Sequence, residues 1–228
     1  MQIIVRLNAT FAAPFNVGTG SLSDALTNKP TIKNGRDRAF IPASAFKGRL
    51  RHTCERLLRA LQNDNHAACH APDPAATCPL DPHWLNDYCP ICLLFGSPKR
   101  PSPLNFSDWH WTGRQLEQPP TQIRTGVSIR RSRRVAEPQR LYDLETVDSL
   151  GIAYQGQIEG HLDDDRAQAL AALLLAGLRE FKTIGGGRGS GLGRCRLQVQ
   201  MTFGSKDVSQ DEAWLRAGLT QLIHGRPA

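Results

Sequence analysis

The sequence predicts an α+β fold in a single elaborated domain over residues 1–228. A β-branched run opens the chain, two long segments with helical spacing follow, and several short strand-like runs lie between those segments. The resulting order, β, α, several β, α, β, is that of a ferredoxin-like (RRM-like) domain with additions. No internal repeat interrupts this order, and 228 residues suffice to bury one substantial core.

The first half of the chain contributes one predicted strand and one predicted helix. Gln2 to Phe11 is a short β-branched run, and a loop rich in Gly, Ser and Asn follows over 16–37. Helical spacing starts at Ser44, a residue type that caps helix N-termini, so we expect Ser44 to be the N-cap. The apolar face of this helix comprises Phe46, Leu50, Cys54, Leu57, Leu58 and Leu61.

The second half is predicted to supply most of the sheet. Strand-like runs occupy 104–111, 123–135, 141–147 and 152–159. A second long helix is expected over 163–182. Its apolar stripe comprises Leu170, Leu173, Leu174, Leu178 and Phe181. A strand over 194–203 and an amphipathic helix over 210–224 complete the pattern.

Composition points to a polyanionic partner. The chain carries 28 Lys and Arg against 21 Asp and Glu, a formal charge of +7 with a pI near 9.4. Aromatic residues make up only 7% of the chain, which favours recognition of a nucleic-acid backbone over base stacking. No apolar run reaches the ~20 residues of a membrane helix and the first residues lack a signal-peptide pattern, so we expect a cytoplasmic protein with no membrane partner.

Cysteine spacing predicts a structural zinc site within an insertion at 63–103. This segment is rich in Pro, His, Asp and Cys and has little hydrophobic periodicity. The Cys89-Pro-Ile-Cys92 pair can bind one tetrahedral Zn²⁺ together with Cys78 and either Cys69 or His70. Unligated thiols and a redox Cys-x-x-Cys are the alternatives, although the context of a thioredoxin-like redox motif is missing. The two remaining cysteines, Cys54 and Cys195, are expected in the core.

An arginine-rich segment over 121–140 is predicted to form a projecting β-hairpin. Residues 127–135 alternate apolar and polar side chains, as a hairpin strand does. The basic residues of the segment are Arg124, Arg130, Arg131, Arg133, Arg134 and Arg140, against the single acid Glu137. Their guanidinium groups could bind backbone phosphates bidentately. The alternative is a solvated strand edge that charge protects from pairing.

A glycine-rich loop over 184–194 is the strongest single indication of RNA binding. Five glycines fall within seven residues, interleaved with Arg188 and followed by Arg194. Such a backbone can approach a phosphodiester closely while fixed cations neutralise it. An ordinary turn between a helix and a strand is the alternative. A Rossmann motif is excluded because these glycines follow a helix and precede a strand.

Three sequence blocks resemble the RAMP superfamily of CRISPR-associated proteins. Ile41-Pro-Ala-Ser-Ala-Phe-Lys-Gly-Arg-Leu-Arg51 resembles the family's Ile-Pro-x-Ser-x-x-Lys-Gly-x-x-Arg helix start. Cys89-Pro-Ile-Cys-Leu-Leu-Phe-Gly96 resembles the Cys-x-x-Cys-x-Leu-Phe-Gly segment that follows its zinc-binding region, and 184–194 resembles its glycine-rich loop. The blocks occur in the expected order, and within the superfamily they are most similar to the backbone subunit of type III effector complexes.

The resemblance implies a ferredoxin-like palm, a β-hairpin thumb, and several subunits stacked along a guide RNA (crRNA) that pairs with a complementary target RNA. Copies of this chain, related backbone subunits and other effector subunits are the implied protein partners. By position, Ser44, Lys47, Arg49 and Arg51 would meet guide phosphates at the helix N-terminus. The thumb would carry Arg130, Arg131, Arg133 and Arg134, and Gly186, Gly187 and Arg188 would face the guide backbone.

Catalysis is where this chain departs from the family pattern. Type III backbone subunits that cut target RNA resemble one another in an aspartate two residues before a proline, in the loop after the first strand. Here Asn28 occupies that position, and an amide cannot serve as a general base or a charged ligand of Mg²⁺ or Mn²⁺. Asp24 lies four residues earlier in the same loop and is the alternative carboxylate for a metal-assisted attack by the RNA 2′-OH.

Two further functions compete with a guide-binding backbone subunit. The first is a guide-processing endoribonuclease of the same superfamily with a histidine general base, for which His52, His110 and His161 are available. The second is a non-catalytic, zinc-stabilised interaction module whose arginines contact acidic proteins. A module of that kind predicts only weak, salt-sensitive attraction to RNA.

Overall fold

The computed structural model describes residues 1–20, 27–64, 67–70, 73, 76–79, 88–113, 119–148, 151–163 and 165–224. These residues form a mixed α+β structure with two antiparallel sheets. The strands are β1 (Gln2–Phe11), β2 (Leu104–Phe106), β3 (His110–Trp111), β4 (Thr121–Arg130), β5 (Val135–Val147), β6 (Ala153–His161), β7 (Cys195–Phe203) and β8 (Lys206–Asp207). The α-helices are α1 (Ala43–Gln62), α2 (Pro90–Phe95), α3 (Ala167–Arg179) and α4 (Glu212–His224).

The larger sheet is organised around β1. Its strand order is β2-β6-β1-β7-β8, and β3 also pairs with β6. All of these pairings are antiparallel, with Val5 opposite Ile158 on one side and Met201 on the other. Alternate residues of β1 point into the core, where Ile3, Val5, Leu7, Ala9 and Phe11 are buried. The period-2 pattern therefore fixes which face of the sheet packs on the helices.

Helices α1 and α3 pack closely across the core. Phe46, Leu50, Cys54 and Leu58 recur every four residues along α1 and are fully buried. Gly177 of α3 permits the close approach, because a Cβ there would lie 2.3 Å from the Cys54 sulfur. Helix α3 is buried on nearly all sides, because α1, α4 and β7 pack around it. Cys54 and Cys195 are core residues, as the sequence predicted.

The prediction that Ser44 caps α1 is wrong. The helix begins at Ala43 after Pro42, and the Ala43 N–H donates a 2.7 Å hydrogen bond to the carboxylate of Asp108. This distant residue reaches the helix because Ile41 and Trp109 exchange two backbone hydrogen bonds of 3.0 and 2.8 Å. The N-terminal cap is therefore supplied by a residue distant in sequence, and Ser44 lies exposed in the first turn.

Two predicted strands are each divided in the structure. The run over 123–135 contains a turn at 131–134, which joins β4 to β5 where Arg130 pairs with Val135. The run over 104–111 is interrupted between β2 and β3, where Trp109 leaves the edge of the sheet to pair with Ile41. Within the part of the chain that the structure describes, no helix is long and apolar enough to cross a membrane.

Candidate nucleic-acid interface and cysteine cluster

An open cleft separates α1 from the glycine-rich loop. Its volume is about 450 Å³. The lining residues are Ala45, Gly48, Arg49 and His52 of α1 with Gly185 and Arg188 of the loop. A Cβ at Gly48 would meet nothing within 4 Å, so the α1 wall of the cleft faces open space at this position. The two cationic walls come from segments far apart in sequence.

Arg49 and Arg188 make this cleft electropositive. The Arg49 guanidinium donates to the Thr183 carbonyl oxygen at 3.4 Å and to the Thr183 hydroxyl at 3.2 Å. Burial lowers the pKa of Arg49, and the positive charges of Arg188 and Arg56 lower it further. Among the described residues, neither Arg49 nor Arg188 has a carboxylate within salt-bridge distance. Two unneutralised cations on facing walls favour an anionic ligand.

Gly185 and Gly186 dock the glycine-rich loop against the chain that follows β1. Gly185 has a φ of +83°, and a Cβ there would lie 2.1 Å from the Asn16 carbonyl oxygen. The Gly186 N–H donates to that same oxygen at 2.8 Å, so it is not available to a phosphate. Gly187 lies against Leu192. Gly186, Gly187 and Arg188 were predicted to face the guide backbone. Of these three, Arg188 faces the cleft, and it is exposed at the start of a short 3₁₀ turn.

The structure does not bring together the four residues of α1 that were predicted to meet phosphates. Only Arg49 lines the cleft, whereas Ser44 is exposed beside the Asp108 carboxylate that caps the helix. The Lys47 ammonium lies 5.2 Å from the centre of the Phe106 ring. Burial lowers the pKa of Lys47, and the charge of Arg51 adds to this effect. A carboxylate at the helix N-terminus opposes phosphate binding there.

Arg51, which was also predicted to meet guide phosphates, points into the protein and does not line the cleft. Its Nε donates to a carboxylate oxygen of Glu55 at 3.0 Å, and one terminal nitrogen donates to the Gly96 carbonyl oxygen at 2.8 Å. The other terminal nitrogen lies 3.7 Å from the Cys92 sulfur and 3.9 Å from the Cys69 sulfur. Burial acts to lower the pKa of Arg51, but Glu55 and the two cysteines raise it. The guanidinium stays charged beside the cysteines.

The sulfur atoms of Cys69, Cys78, Cys89 and Cys92 all lie within 4.8 Å of one another. The Cys69 and Cys92 sulfurs are 3.4 Å apart, the Cys69 and Cys89 sulfurs 3.8 Å, and all four cysteines are free. Tetrahedral Zn–S bonds of about 2.3 Å place neighbouring sulfurs about 3.8 Å apart, so this set fits one metal ion. Cys69 belongs to the cluster, whereas His70 is exposed outside it.

The thiols of this cluster influence one another strongly. Hydrogen bonding with Cys89 lowers the pKa of Cys78 to about 7, and hydrogen bonding with Cys69 lowers the pKa of Cys89 to about 7. Hydrogen bonds with Cys69 and Cys89 raise the pKa of Cys92. The Cys89 N–H also donates to the Cys78 sulfur at 3.5 Å. Four crowded sulfurs can all be thiolates only when a cation offsets their repulsion.

Strands β4 and β5 form a separate hairpin with an exposed cationic tip. Arg130 and Arg140 pair with Glu137 at 3.1 and 3.3 Å. Arg131, Arg133 and Arg134 lie exposed around the turn, and no carboxylate of the described chain pairs with them. Large apolar side chains are also exposed on the hairpin, between 41% and 66%: Ile123, Val127, Ile129, Val135, Leu141 and Tyr142. Such a surface is typical of a binding element.

The loop after β1 lies against the base of this hairpin. The Lys29 N–H donates to the Asp143 carbonyl oxygen, and the Glu145 N–H donates to the Lys29 carbonyl oxygen, each at 3.1 Å. Asn28, at the position of the family aspartate, is exposed next to this junction. Asp24 lies outside the described residues.

The three histidines weighed as general bases occupy different environments. His52 lines the cationic cleft, with its Nδ1 3.9 Å from a Glu55 carboxylate oxygen. His110 stacks on Phe40 at a centroid distance of 5.9 Å. The Nε2 of His161 is 2.8 Å from the Asp163 carboxylate, beside the N-terminal amino group. Of the three, His52 alone lines the cleft with Arg49 and Arg188.

A model of the RAMP superfamily matches residues 8–196. The chain belongs to the RAMP superfamily. The matched region runs from β1 into β7 and includes the cleft, the cysteine cluster and the hairpin. No curated protein matches the chain. RAMP membership indicates a CRISPR-associated protein with an RNA-binding role, and the resemblance read from the sequence is confirmed at that level.

Sequence reasoning missed three residues that shape the site. Asp108 caps α1, Asn16 holds the glycine-rich loop through its carbonyl oxygen, and Glu145 fixes the loop after β1. No local pattern marks any of them, because each contact joins segments distant in sequence.

Proposed function

We propose that this protein is a guide-RNA-binding backbone subunit of a type III CRISPR effector complex. The observation that carries the proposal is the cleft between α1 and the glycine-rich loop, where Arg49 and Arg188 face each other without a carboxylate partner among the described residues. Fixed guanidinium groups bind phosphates bidentately and independently of base identity. Sequence specificity would come from base pairing between the guide and its target.

The sheet order supports a ferredoxin-like palm. Strands β2, β6, β1 and β7 are adjacent in that order and all antiparallel, and the crossover segments after β1 and β6 contain α1 and α3. This arrangement matches two split βαβ units sharing one sheet. The palm would hold the guide backbone along the α1 side.

The β4–β5 hairpin supports the proposal of a thumb. Its apolar side chains would pack against a neighbouring copy or a related subunit, and Arg131, Arg133 and Arg134 would contact RNA phosphates at its tip. Lys29 hydrogen-bonds to the base of the hairpin, and the preceding Asn28 stands at the family aspartate position. Complementary target RNA would therefore pass this junction.

The cysteine cluster supports a structural zinc site within the proposed 63–103 insertion. Four sulfur donors leave no open position on a tetrahedral ion, so zinc here would stabilise the fold without taking part in RNA chemistry. Cys69, Cys78, Cys89 and Cys92 would be its ligands.

The residue at the family aspartate position supports binding without cleavage. The Asn28 amide cannot replace a carboxylate that acts with Mg²⁺ or Mn²⁺. Asp24 is the candidate carboxylate in this loop for acting with Mg²⁺ or Mn²⁺. Cleavage of a labelled target RNA by the assembled complex, with Asp24→Ala compared to wild type, decides this point. Loss of one regularly spaced cut with binding intact would make Asp24 catalytic, whereas an unchanged pattern supports a binding subunit.

The binding proposal is tested by the affinity of the purified chain for single-stranded RNAs of increasing length. Guide binding along a groove predicts an affinity that rises with RNA length, together with filament formation. A zinc-stabilised module for acidic proteins predicts a shallow response to RNA length and would replace the present proposal.

A second function has one specific observation in its favour, the position of His52 in the cationic cleft. A histidine beside bound phosphates could deprotonate the RNA 2′-OH, as a guide-processing endoribonuclease requires. Single-turnover cleavage of a guide-precursor RNA without added Mg²⁺ or Mn²⁺, by wild type and His52→Ala, distinguishes the functions. Cleavage that depends on His52 would favour the processing enzyme.

A further inference from the structure

Helix α1 has one face toward the cleft and another toward the cysteine cluster. Arg49 and His52 line the cleft, whereas Arg51 and Glu55 extend to the other side. The side chains of Arg51 and Glu55 are only 19% and 10% exposed. A buried ion pair of this kind requires further partners for its remaining donors and acceptors. The partners of Arg51 are the Gly96 carbonyl oxygen and two cysteine sulfurs.

We propose that Arg51 is the hydrogen-bonding charge partner of a metal–thiolate centre formed by Cys69, Cys78, Cys89 and Cys92. One terminal nitrogen lies 3.7 and 3.9 Å from the sulfurs of Cys92 and Cys69, within the range of N–H···S hydrogen bonds. A divalent ion with four thiolates carries a net charge of −2, and the guanidinium offsets part of it. This inference rests on the proposed zinc site and assigns Arg51 a positioning role, in place of contact with RNA.

The planar guanidinium explains why an arginine occupies this position. Its Nε and two terminal nitrogens reach three sets of acceptors in different directions: Glu55, Gly96 and the cysteine sulfurs. A lysine could keep the charge but could not reach all three. Gly96 directly follows α2, the helix that carries Cys92, so Arg51 also fixes the end of the segment that holds one sulfur. Arg51 thereby connects α1 to the cysteine cluster.

Metal affinity of the full chain tests this role directly. Zn²⁺ affinity is measured by competition with a chromophoric chelator for wild type, Arg51→Gln and Arg56→Gln. Arg56 is the matched control, because it is an exposed arginine of the same helix that makes no sulfur contact in the structure. Loss of an outer hydrogen bond to a metal ligand costs 10- to 100-fold in metal affinity, so we expect a loss of about this size for Arg51→Gln and less than about twofold for Arg56→Gln.

Cobalt spectroscopy provides a readout that a general loss of stability would not move. Co²⁺ replaces zinc in tetrahedral thiolate sites, and its sulfur-to-metal charge-transfer bands report the electron density on sulfur. Removing an N–H···S bond raises that density, so we expect the bands of Arg51→Gln to shift to lower energy and those of Arg56→Gln to match wild type. Arg51→Lys, which keeps the cation beside Glu55, should fold if Arg51→Gln does not, and it should show an intermediate shift.

The outcomes separate this inference from the zinc site itself. The role of Arg51 would be overturned, and the zinc site left intact, if both variants, Arg51→Gln and Arg51→Lys, had the metal affinity and the cobalt bands of wild type. A wild-type chain that binds no zinc would overturn both. The inference would also be contradicted if Arg51→Gln bound metal as wild type does but lost RNA affinity, because Arg51 would then contact RNA.

Discussion

The Lys33 ammonium lies 2.9 Å from a carboxylate oxygen of Glu145 and joins the loop after β1 to the second strand of the hairpin. The other Glu145 oxygen accepts a 3.0 Å hydrogen bond from the Thr31 N–H. Both side chains are largely buried, with exposures of 27% and 12%. This pair holds the loop that contains Asn28 against the base of the hairpin, so the position of the family aspartate depends on a residue of the hairpin.

The Lys33–Glu145 pair should make stability depend on pH in the acid range. Burial acts to raise the pKa of Glu145, but Lys33 and Thr31 lower it below its ordinary value. The stability from this carboxylate is therefore present above its unfolded pKa of about 4.3 and is lost as pH falls through the lower folded pKa. We expect Glu145→Gln to reduce the free energy of unfolding at pH 7 by about 2 kcal/mol and to flatten its decline toward pH 3.

Urea unfolding across pH 3–8 measures this effect. Removing Glu145 alone leaves the Lys33 cation with only the exposed Asp37 carboxylate, 3.4 Å away, as its partner, so Lys33→Met with Glu145→Gln should recover part of the loss. An acid limb equally steep in wild type and Glu145→Gln would contradict the assignment to this carboxylate.

Arg49 and Arg188 should carry much of the RNA affinity. We expect Arg49→Gln or Arg188→Gln to weaken binding of single-stranded RNA about tenfold, because each substitution removes a charged donor to phosphate. Each should also reduce the slope of log affinity against log salt by about 0.7. Fluorescence anisotropy at several salt concentrations measures both quantities. Arg56→Gln, which removes the same charge outside the cleft, should change affinity less than the cleft variants do.

Two substitutions at Gly48 should have different effects: Gly48→Ala should stabilise the fold, and Gly48→Glu should weaken RNA binding. A Cβ there would have no neighbour within 4 Å, and glycine inside a helix costs about 1 kcal/mol relative to alanine. We expect Gly48→Ala to raise the melting temperature by about 2–4 °C. Gly48→Glu should fold but weaken RNA binding about tenfold or more, because it places a carboxylate in the cationic cleft. RNA binding by Gly48→Glu at wild-type strength would exclude this cleft as the phosphate site.

Metal removal should destabilise the fold through the cysteine cluster. We expect one zinc ion per chain by elemental analysis, and its loss in Cys92→Ser. At a zinc concentration about a thousand times its Kd, the bound ion contributes about 4 kcal/mol to the free energy of unfolding. His70→Ala is the control and should keep both zinc and stability, because His70 lies outside the cluster. Full zinc occupancy in Cys92→Ser would rule out Cys92 as an essential ligand.

Patterns that repeat over a few residues were read correctly from the sequence. Of the six residues predicted on the apolar face of α1, Phe46, Leu50, Cys54 and Leu58 are fully buried, and Leu57 and Leu61 are partly buried. The β-branched run at the start of the chain predicted a strand over Gln2–Phe11, and β1 has these bounds. Burial of one face repeats with the period of the element, so local spacing is enough to recover it.

Contacts between distant segments could not be read in this way. The pattern at Ser44 predicted a local cap, but Asp108 caps the helix because pairing of Ile41 with Trp109 brings it there. The resemblance of the Ile-Pro-x-Ser-x-x-Lys-Gly block to the family's helix start grouped Arg51 with Arg49 as phosphate contacts. Residues two positions apart on a helix point in directions about 200° apart, which sends one guanidinium to the cleft and the other to the cysteines.

The sequence by itself determined the α+β class, the helical and strand periods, the RAMP resemblance, and Cys78, Cys89 and Cys92 as three members of the cysteine cluster. Only the tertiary structure decided which cations share a cleft, that Cys69 and not His70 joins the cysteine cluster, and that Arg51 faces sulfur atoms. The physical reason is that side-chain periodicity is encoded locally by the backbone geometry. The partner of a charged group depends on how segments far apart in the chain are brought together by the packed core.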